Sequence, residues 1–297
     1  MRVVYSSRYV IDIGDHVFPT SKYARVYGRM VERQVVEEED VIEPLGATWD
    51  DLSRVHTSRY LRKIRRGELS LTELAQLEIP WSAAITENFL LMTGGTLTAA
   101  RQALSAWPVV HIGGGFHHAF ADHGEGFCLF NDVALAIRVL THEGKMARAA
   151  IVDCDVHHGN GTAKIFAEDS TVFTFSMHQQ NSYPMDKPPS TLDVGLPDGT
   201  CDAEYLQRLA DALPVVMAHG PELLFYLAGA DPYKRDQLGG LGLTMAGLRE
   251  RDRLVLTTSE EAGVPVVVVL AGGYAYDLDN TVEIHVATVE EARGLRP

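Results

Sequence analysis

The sequence predicts an α/β protein, a three-layer α/β/α arrangement around a mostly parallel central sheet. From residue 108 onward, apolar β-branched runs alternate with amphipathic helical patterns. The runs are apolar at successive positions, which marks strands covered on both faces and hence a parallel sheet. No linker rich in Pro, Gly or Ser and no internal repeat divides residues 1–297, so a single domain is expected.

In chain order, residues 3–5 read as a short strand. Thr20 or Ser21 starts a helix to about residue 36, and the charged run 37–40 is expected to be a solvated face. Residues 52–64 carry helical spacing. A longer helix is expected from Ser82, an N-cap after Pro80, to about residue 106; Gly94-Gly95 inside it costs stability and marks a close helix contact or a kink. Strands follow at 108–112, 149–153, 171–175, 223–228 and 265–271, with helices near 130–142, 162–168, 203–218 and 244–262. Residues 179–202, with four prolines and no pattern, are expected to form a long functional loop.

With 40 acidic against 26 basic residues the net charge is −14. This argues against a phosphate-binding face, and so against direct nucleic-acid binding, because such affinity comes from Lys and Arg displacing counterions. A cationic substrate would be drawn in more readily, but on charge alone the preferred reading is that acidity keeps the protein soluble. Cys128, Cys154 and Cys201 are odd in number and widely spaced, as in a reducing compartment. The N-terminus lacks the apolar core of a signal peptide, and the longest apolar run, 264–271, is too short for a bilayer, so a cytoplasmic protein without a membrane span is expected. Oligomeric state leaves no sequence signal.

Chemistry concentrates at residues 149–161, where an apolar run acquires two carboxylates and two imidazoles before breaking at glycine. Extended side chains alternate faces, so Asp153, Asp155 and His157 point one way. Burying them together is costly without a positive partner, and a divalent metal is the simplest one. The bland alternative is a strand end capping the next helix, with His157 and His158 as loop histidines.

Ligands of parallel sheets bind beyond the carboxyl ends of the strands, and each expected strand delivers glycine or polar groups there. His117 and His118 follow Gly113-Gly114-Gly115; Asp155, His157 and Asn160 follow 149–153; Ser176 and His178, then Asp231, then Tyr274 after Gly272-Gly273, complete the set. Asp231 before Pro232 also fits a helix N-cap, and Tyr274 also fits a core aromatic. His16, His56, His123, His142, His219 and His285 have no partners at telling spacing and are read as structural or surface residues.

Taken together these motifs resemble the histone deacetylase superfamily, within the arginase-deacetylase fold, over nearly the whole chain. The matching residues are Val55-His56-Thr57 with Tyr60-Leu61, Gly114-Gly115-Phe116-His117-His118, Gly126-Phe127-Cys128 with Asn131-Asp132, the segment from Asp153 to Gly161, Ala228-Gly229-Ala230-Asp231, and Gly272-Gly273-Tyr274. The opening His16-Val17-Phe18-Pro19, the segment Thr93-Gly94-Gly95-Thr96 and the compact size are most similar to the class IV branch and its bacterial relatives.

The resemblance implies a zinc ion held by Asp155, His157 and Asp231, with His117 oriented by Asp153 and His118 by Asn160. It implies Tyr274 as the phenol that polarises the substrate carbonyl, Phe127 and Tyr183 as walls of an acyl-lysine channel, and the Gly126 carbonyl as acceptor of the substrate amide N–H. It also implies a structural potassium at Asp153, Ser176 and the backbone of Asp155, His157 and Met177. Two carboxylates make the metal site hard enough for Fe(II) or Mn(II) to replace zinc.

The implied reaction is hydrolysis of an Nε-acyl-lysine amide in a peptide or protein, with an acetyl or longer fatty acyl group. Metal-held water attacks the carbonyl and His118 acts as base. Asn160, where some family members have aspartate, leaves His118 less basic, and His117 beside Asp153 is the more readily protonated. Two alternatives remain open: an acetylpolyamine amidohydrolase, which the acidic surface suits equally, and a non-catalytic acyl-lysine binding module, which would not require Tyr274 and both histidines. A two-manganese ureohydrolase needs bridging aspartates that His157-His158-Gly159-Asn160 lacks.

Overall fold

The computed structural model describes residues 1–295. Eight strands form one sheet, all parallel, in the order β2-β1-β3-β8-β7-β4-β5-β6. They are β1 (Arg2–Val4), β2 (Val41–Ile42), β3 (Val109–His111), β4 (Ala149–Asp153), β5 (Val172–Gln179), β6 (Leu192–Leu196), β7 (Leu223–Leu227) and β8 (Val266–Val269). Every residue of β3, β4, β7 and β8 is buried, as expected for central strands of a sheet with helices on both faces.

The helices are α1 (Ser21–Glu32), α2 (Trp49–Leu52), α3 (Ser58–Arg66), α4 (Leu71–Leu77), α5 (Ala83–Ala103), α6 (Asp132–His142), α7 (Asn160–Phe166), α8 (Asp202–Ala218), α9 (Met245–Ala262) and α10 (Leu278–Gly294). α1, α10, α9 and α8 pack in a row as one layer, and α5, α6 and α7 form another. No helix among the described residues is long and apolar enough to cross a membrane.

Several expected boundaries shift. α1 stops at Glu32 because Gln34 turns left-handed, at φ 56°, a conformation that a glutamine does not advertise in sequence. The span 52–64 splits into α2 and α3, and Thr57 caps α3 through a bond from the Tyr60 backbone. α5 begins at the Ser82 cap as expected and ends at Ala103. The stretch 179–202 is not wholly loop. β5 runs on to Gln179, and β6 pairs with it from Phe175↔Leu192 to Gln179↔Leu196. β6 escaped notice because Asp193 and Gly195 interrupt it and most of it is only half-buried, as befits an edge strand. β2, α4 and α10 are further elements that the pattern did not reveal.

Gly94-Gly95 marks a close contact. A Cβ on Gly94 would overlap Leu45 O, and one on Gly95 would overlap His111 Nε2 and the Tyr9 hydroxyl. α5 therefore lies against the end of β3 at a distance only glycine permits.

Candidate active site

Four adjacent strands, β3-β8-β7-β4, supply the site from their carboxyl ends. The loop after β3 carries His117 and His118, β4 leads into Asp155 and His157, β7 into Asp231, and β8 into Gly272 and Tyr274. Strands of a sheet lie about 4.8 Å apart, so these distant segments meet around one cavity of about 190 Å³.

Ligand atoms of Asp155, His157 and Asp231 all lie within 4.8 Å of one another, and all three residues are buried. His157 Nδ1 is 3.1 Å from Asp155 Oδ1 and 3.7 Å from Asp231 Oδ2. The carboxylates are braced from behind: Asp155 Oδ2 accepts from Gly272 N at 2.9 Å, and Asp231 Oδ1 from Val156 N at 2.9 Å. Asp231 Oδ2 is buried without any hydrogen-bond partner. Burial and the neighbouring charge of Asp155 push the Asp231 carboxyl well above the usual range. An orphaned carboxylate oxygen converging with a second carboxylate and an imidazole is the environment that a divalent cation satisfies, and the residues fit one. Asp231 caps no helix.

The histidine pair is ordered by proton counting. His117 Nδ1 is 2.7 Å from Asp153 Oδ2, and His118 Nδ1 is 2.7 Å from Asn160 Oδ1. Both oxygens only accept, so both histidines carry a proton on Nδ1. The two Nε2 atoms lie 3.1 Å apart and need one proton between them. Burial opposes charge on His117, but Asp153 and Asp155 outweigh it and lift its pKa to about 9. Burial, then the charge of His117 and His157, hold His118 well below 6.5. The shared proton therefore belongs to His117, and His118 Nε2 keeps the acceptor lone pair.

Tyr274 lines the same cavity. Its backbone N–H is anchored at 2.7 Å by Asp236 Oδ2. Burial, with Asp155 and Asp231 adding to it, pushes the phenol well above 10, so it stays a donor. Phe127 and Tyr183 also line the cavity. The Phe127 ring lies 6.0 Å from Tyr274, and Tyr183 lies 5.0 Å from His118. Phe127 is presented by a left-handed backbone, φ 67° after Gly126 at φ 52°, an uncommon state for a side chain of this size. Gly126 O receives the Cys128 thiol at 3.3 Å.

Asp153 and Ser176, two of the expected potassium ligands, are register partners on β4 and β5. Met177 follows on β5, and Ser176 Oγ lies 3.1 Å from His178 Nδ1. A second His/Asp group, His158, His178 and Asp193, stands at the β5–β6 edge. Its Asp193 is already engaged by His158 Nε2 at 3.1 Å and Ser190 N at 2.9 Å, which pins β6.

Several neighbours had no role assigned to them from the sequence. Lys22 is buried, donates to Ala271 O at 2.8 Å and stands 5.5 Å from the Tyr274 ring centre; burial pulls its ammonium down to about 8 against Asp231, Asp155 and Asp236. Asp132 accepts from Gly115 N and Phe116 N, holding the histidine loop. Glu125 reaches Asn160. Arg251, fully buried, donates to Cys154 O and Gly229 O just before the two aspartates. Lys22 and Arg251 belong to no run of functional residues, so only the fold brings them in, whereas Asp132 is part of the Asn131-Asp132 motif and Glu125 directly precedes Gly126-Phe127. His16, read as structural or surface, packs edge-on at 4.9 Å against Phe127, which lines the cavity.

The sequence matches the histone deacetylase domain over residues 16–289. It is 41% identical to an uncharacterised protein of Picosynechococcus, over 99% of this chain and 98% of that one. To histone deacetylase 2 of Arabidopsis thaliana it is 34% identical, over 92% and 74% respectively. The crystal structure of an HDAC homolog complexed with SAHA shares the fold, with a TM-score of 0.83 at 23% identity over 99% of this chain and 84% of that one. The chain belongs to the histone deacetylase domain family.

Proposed function

We propose that the protein is a zinc-dependent hydrolase that removes an acetyl or longer acyl group from Nε-acyl-lysine. The observation that carries this is the convergence of Asp155, His157 and Asp231 with a histidine pair and a phenol around one cavity. When bound there, a zinc-class cation polarises the substrate carbonyl and acidifies water; Fe(II) or Mn(II) suits the same donors.

The chain's own groups do the rest. His118 Nε2, the free lone pair of the pair, takes the proton of the attacking water. Doing so displaces the hydrogen bond from His117 Nε2–H and frees that proton for the leaving amine. Asp153 holds His117 cationic until then. Tyr274 donates to the developing oxyanion, a contribution of about 3 kcal/mol for one such donor. Phe127 and Tyr183 flank the lysine methylenes, the Gly126 carbonyl accepts the substrate amide N–H, and Phe18, Tyr23 and Phe116 complete the apolar lining of the cavity. Potassium at Asp153, Ser176 and the backbone of Asp155, His157 and Met177 would brace the strand ends. The segment His16-Val17-Phe18-Pro19 is what supports kinship with the class IV branch, and the free thiols Cys128, Cys154 and Cys201 support a cytoplasmic setting.

One feature favours acylated polyamines as a second substrate class: Glu78 lines the pocket of an already acidic protein. The deciding experiment is a panel of lysine peptides and polyamines bearing acyl groups from acetyl to myristoyl, compared by kcat/KM. Acyl-lysine should lead, and Tyr274→Phe should lower kcat on the order of 10²-fold with metal retained. Absence of turnover on every acyl-lysine substrate overturns the reading.

A further inference from the structure

Asparagine at position 160 poses a problem that aspartate would not. An asparagine amide offers an oxygen on one side and an NH₂ on the other, and the two are nearly identical in shape. With the oxygen toward His118, the imidazole carries its proton on Nδ1 and presents a lone pair at Nε2. Turned over, the amide would donate to Nδ1, and the neutral ring would carry its proton on Nε2, where a base must be bare. Something outside the pair has to choose.

Glu125 is placed to choose. Its Oε1 lies 2.6 Å from Asn160 Nδ2, and a carboxylate only accepts, so the NH₂ must face Glu125 and Oδ1 must face His118, 2.7 Å from Nδ1. Glu125 is itself tied down: Gln76 Nε2 donates to its other oxygen at 2.9 Å, and His123 Nε2 stands 3.6 Å away. Burial disfavours its charge, but the bonds from His123, Asn160, Gln76 and Tyr183 outweigh burial and hold the carboxyl below the usual range. It is thus an ionised acceptor. The loop that carries it continues directly into Gly126 and Phe127, so one short segment both shapes the pocket wall and reaches behind the base.

We propose that Glu125 is a positioning residue that locks the Asn160 amide and, through it, the Nδ1–H tautomer of His118. The proposal rests on His118 acting as the base of the deacylase reading. It makes Asn160 and Glu125 a matched pair. An aspartate at 160 would need no lock, and beside Glu125 it would set two carboxylates against each other.

The test is an isosteric exchange in the zinc-loaded full chain: Glu125→Gln, Asn160→Asp, and both together. Glu125→Gln gives position 125 its own NH₂ and releases the lock; Asn160→Asp creates the carboxylate clash. Each single change should lower kcat/KM by about ten-fold or more. In the double variant the carboxylate now at position 160 accepts from both His118 and the amide now at position 125, so kcat/KM should return to within about three-fold of the wild type. A double variant no better than the worse single, with all four proteins melting alike, overturns the proposal. A second readout is independent of turnover: ¹⁵N spectra of histidine-labelled protein should show His118 protonated at Nδ1 in the wild type and double variant, and a mixture of tautomers in Glu125→Gln. An unchanged His118 spectrum in Glu125→Gln also overturns it. The spectra decide the lock even where no acyl substrate is cleaved, in which case the deacylase reading has failed by itself.

Discussion

At the residue scale, the candidate metal ligands depend on a position with no side chain. A Cβ on Gly272 would overlap Asp231 Oδ2 and Asp155 Oδ2, and the Gly272 N–H is what holds Asp155 Oδ2. Gly272→Ala should therefore displace both carboxylates while leaving the fold in place. Metal analysis should find well under half the wild-type content; equal content would separate Gly272 from the site. Residues of this kind were legible in sequence, because glycine and polar groups at strand ends stand out against the apolar runs before them. Lys22, Glu125 and Arg251 were not. Lys22 and Arg251 sit among ordinary helix residues and Glu125 just before the Gly126-Phe127 pair, and the meaning of each comes from what the fold sets opposite it: Ala271 O, the carbonyls of Cys154 and Gly229, and Asn160 Nδ2.

At the element scale, α5 shows how a local cost serves a distant site. Gly95 costs helix stability by about 1 kcal/mol relative to alanine. It admits the chain that runs from the Tyr9 hydroxyl to His111 Nε2, from His111 Nδ1 to Thr96 Oγ1 and from Thr96 to Asp132. Asp132 in turn holds the backbone at Gly115 and Phe116, just before His117. Gly95→Ala should therefore destabilise the protein by about 1–3 kcal/mol, the usual range for overpacking, despite alanine's better propensity. A rise in the urea midpoint would contradict this. The pair's significance was visible in the sequence, but its partners were not, since His111 and Tyr9 lie in segments that read as plain strand and loop. Strand periodicity exposed the central strands for the same reason that it hid β6: full burial leaves a continuous apolar run, and a half-buried edge does not.

At the scale of the whole molecule, the sheet order sets β3, β8, β7 and β4 side by side and gathers every catalytic candidate at one edge. The same compactness buries histidines that must stay neutral. His56 accepts from Asn131 N through Nε2 and faces Phe120 O through Nδ1, and burial lowers its pKa from 6.5 to about 4; burial lowers His111 to about 3. The unfolded chain binds these protons first, so stability is complete above pH 6.5 and is lost as pH falls toward 4. Each histidine contributes a slope of about 1.4 kcal/mol per pH unit in that window. Denaturant titrations of His56→Gln should show a slope shallower by about that amount than the wild type, and an equal slope would place His56 outside this linkage.

The proposed hydrolysis turns on a cation held by Asp155, His157 and Asp231. The most direct measurement is release of acetate from an Nε-acetyl-lysine peptide, with the lysine ε-amine unmasked, before and after chelation and with zinc restored. The predicted result is activity abolished by the chelator and recovered at about one equivalent of zinc per chain. Hydrolysis that persists at the original rate in the metal-free protein would contradict it.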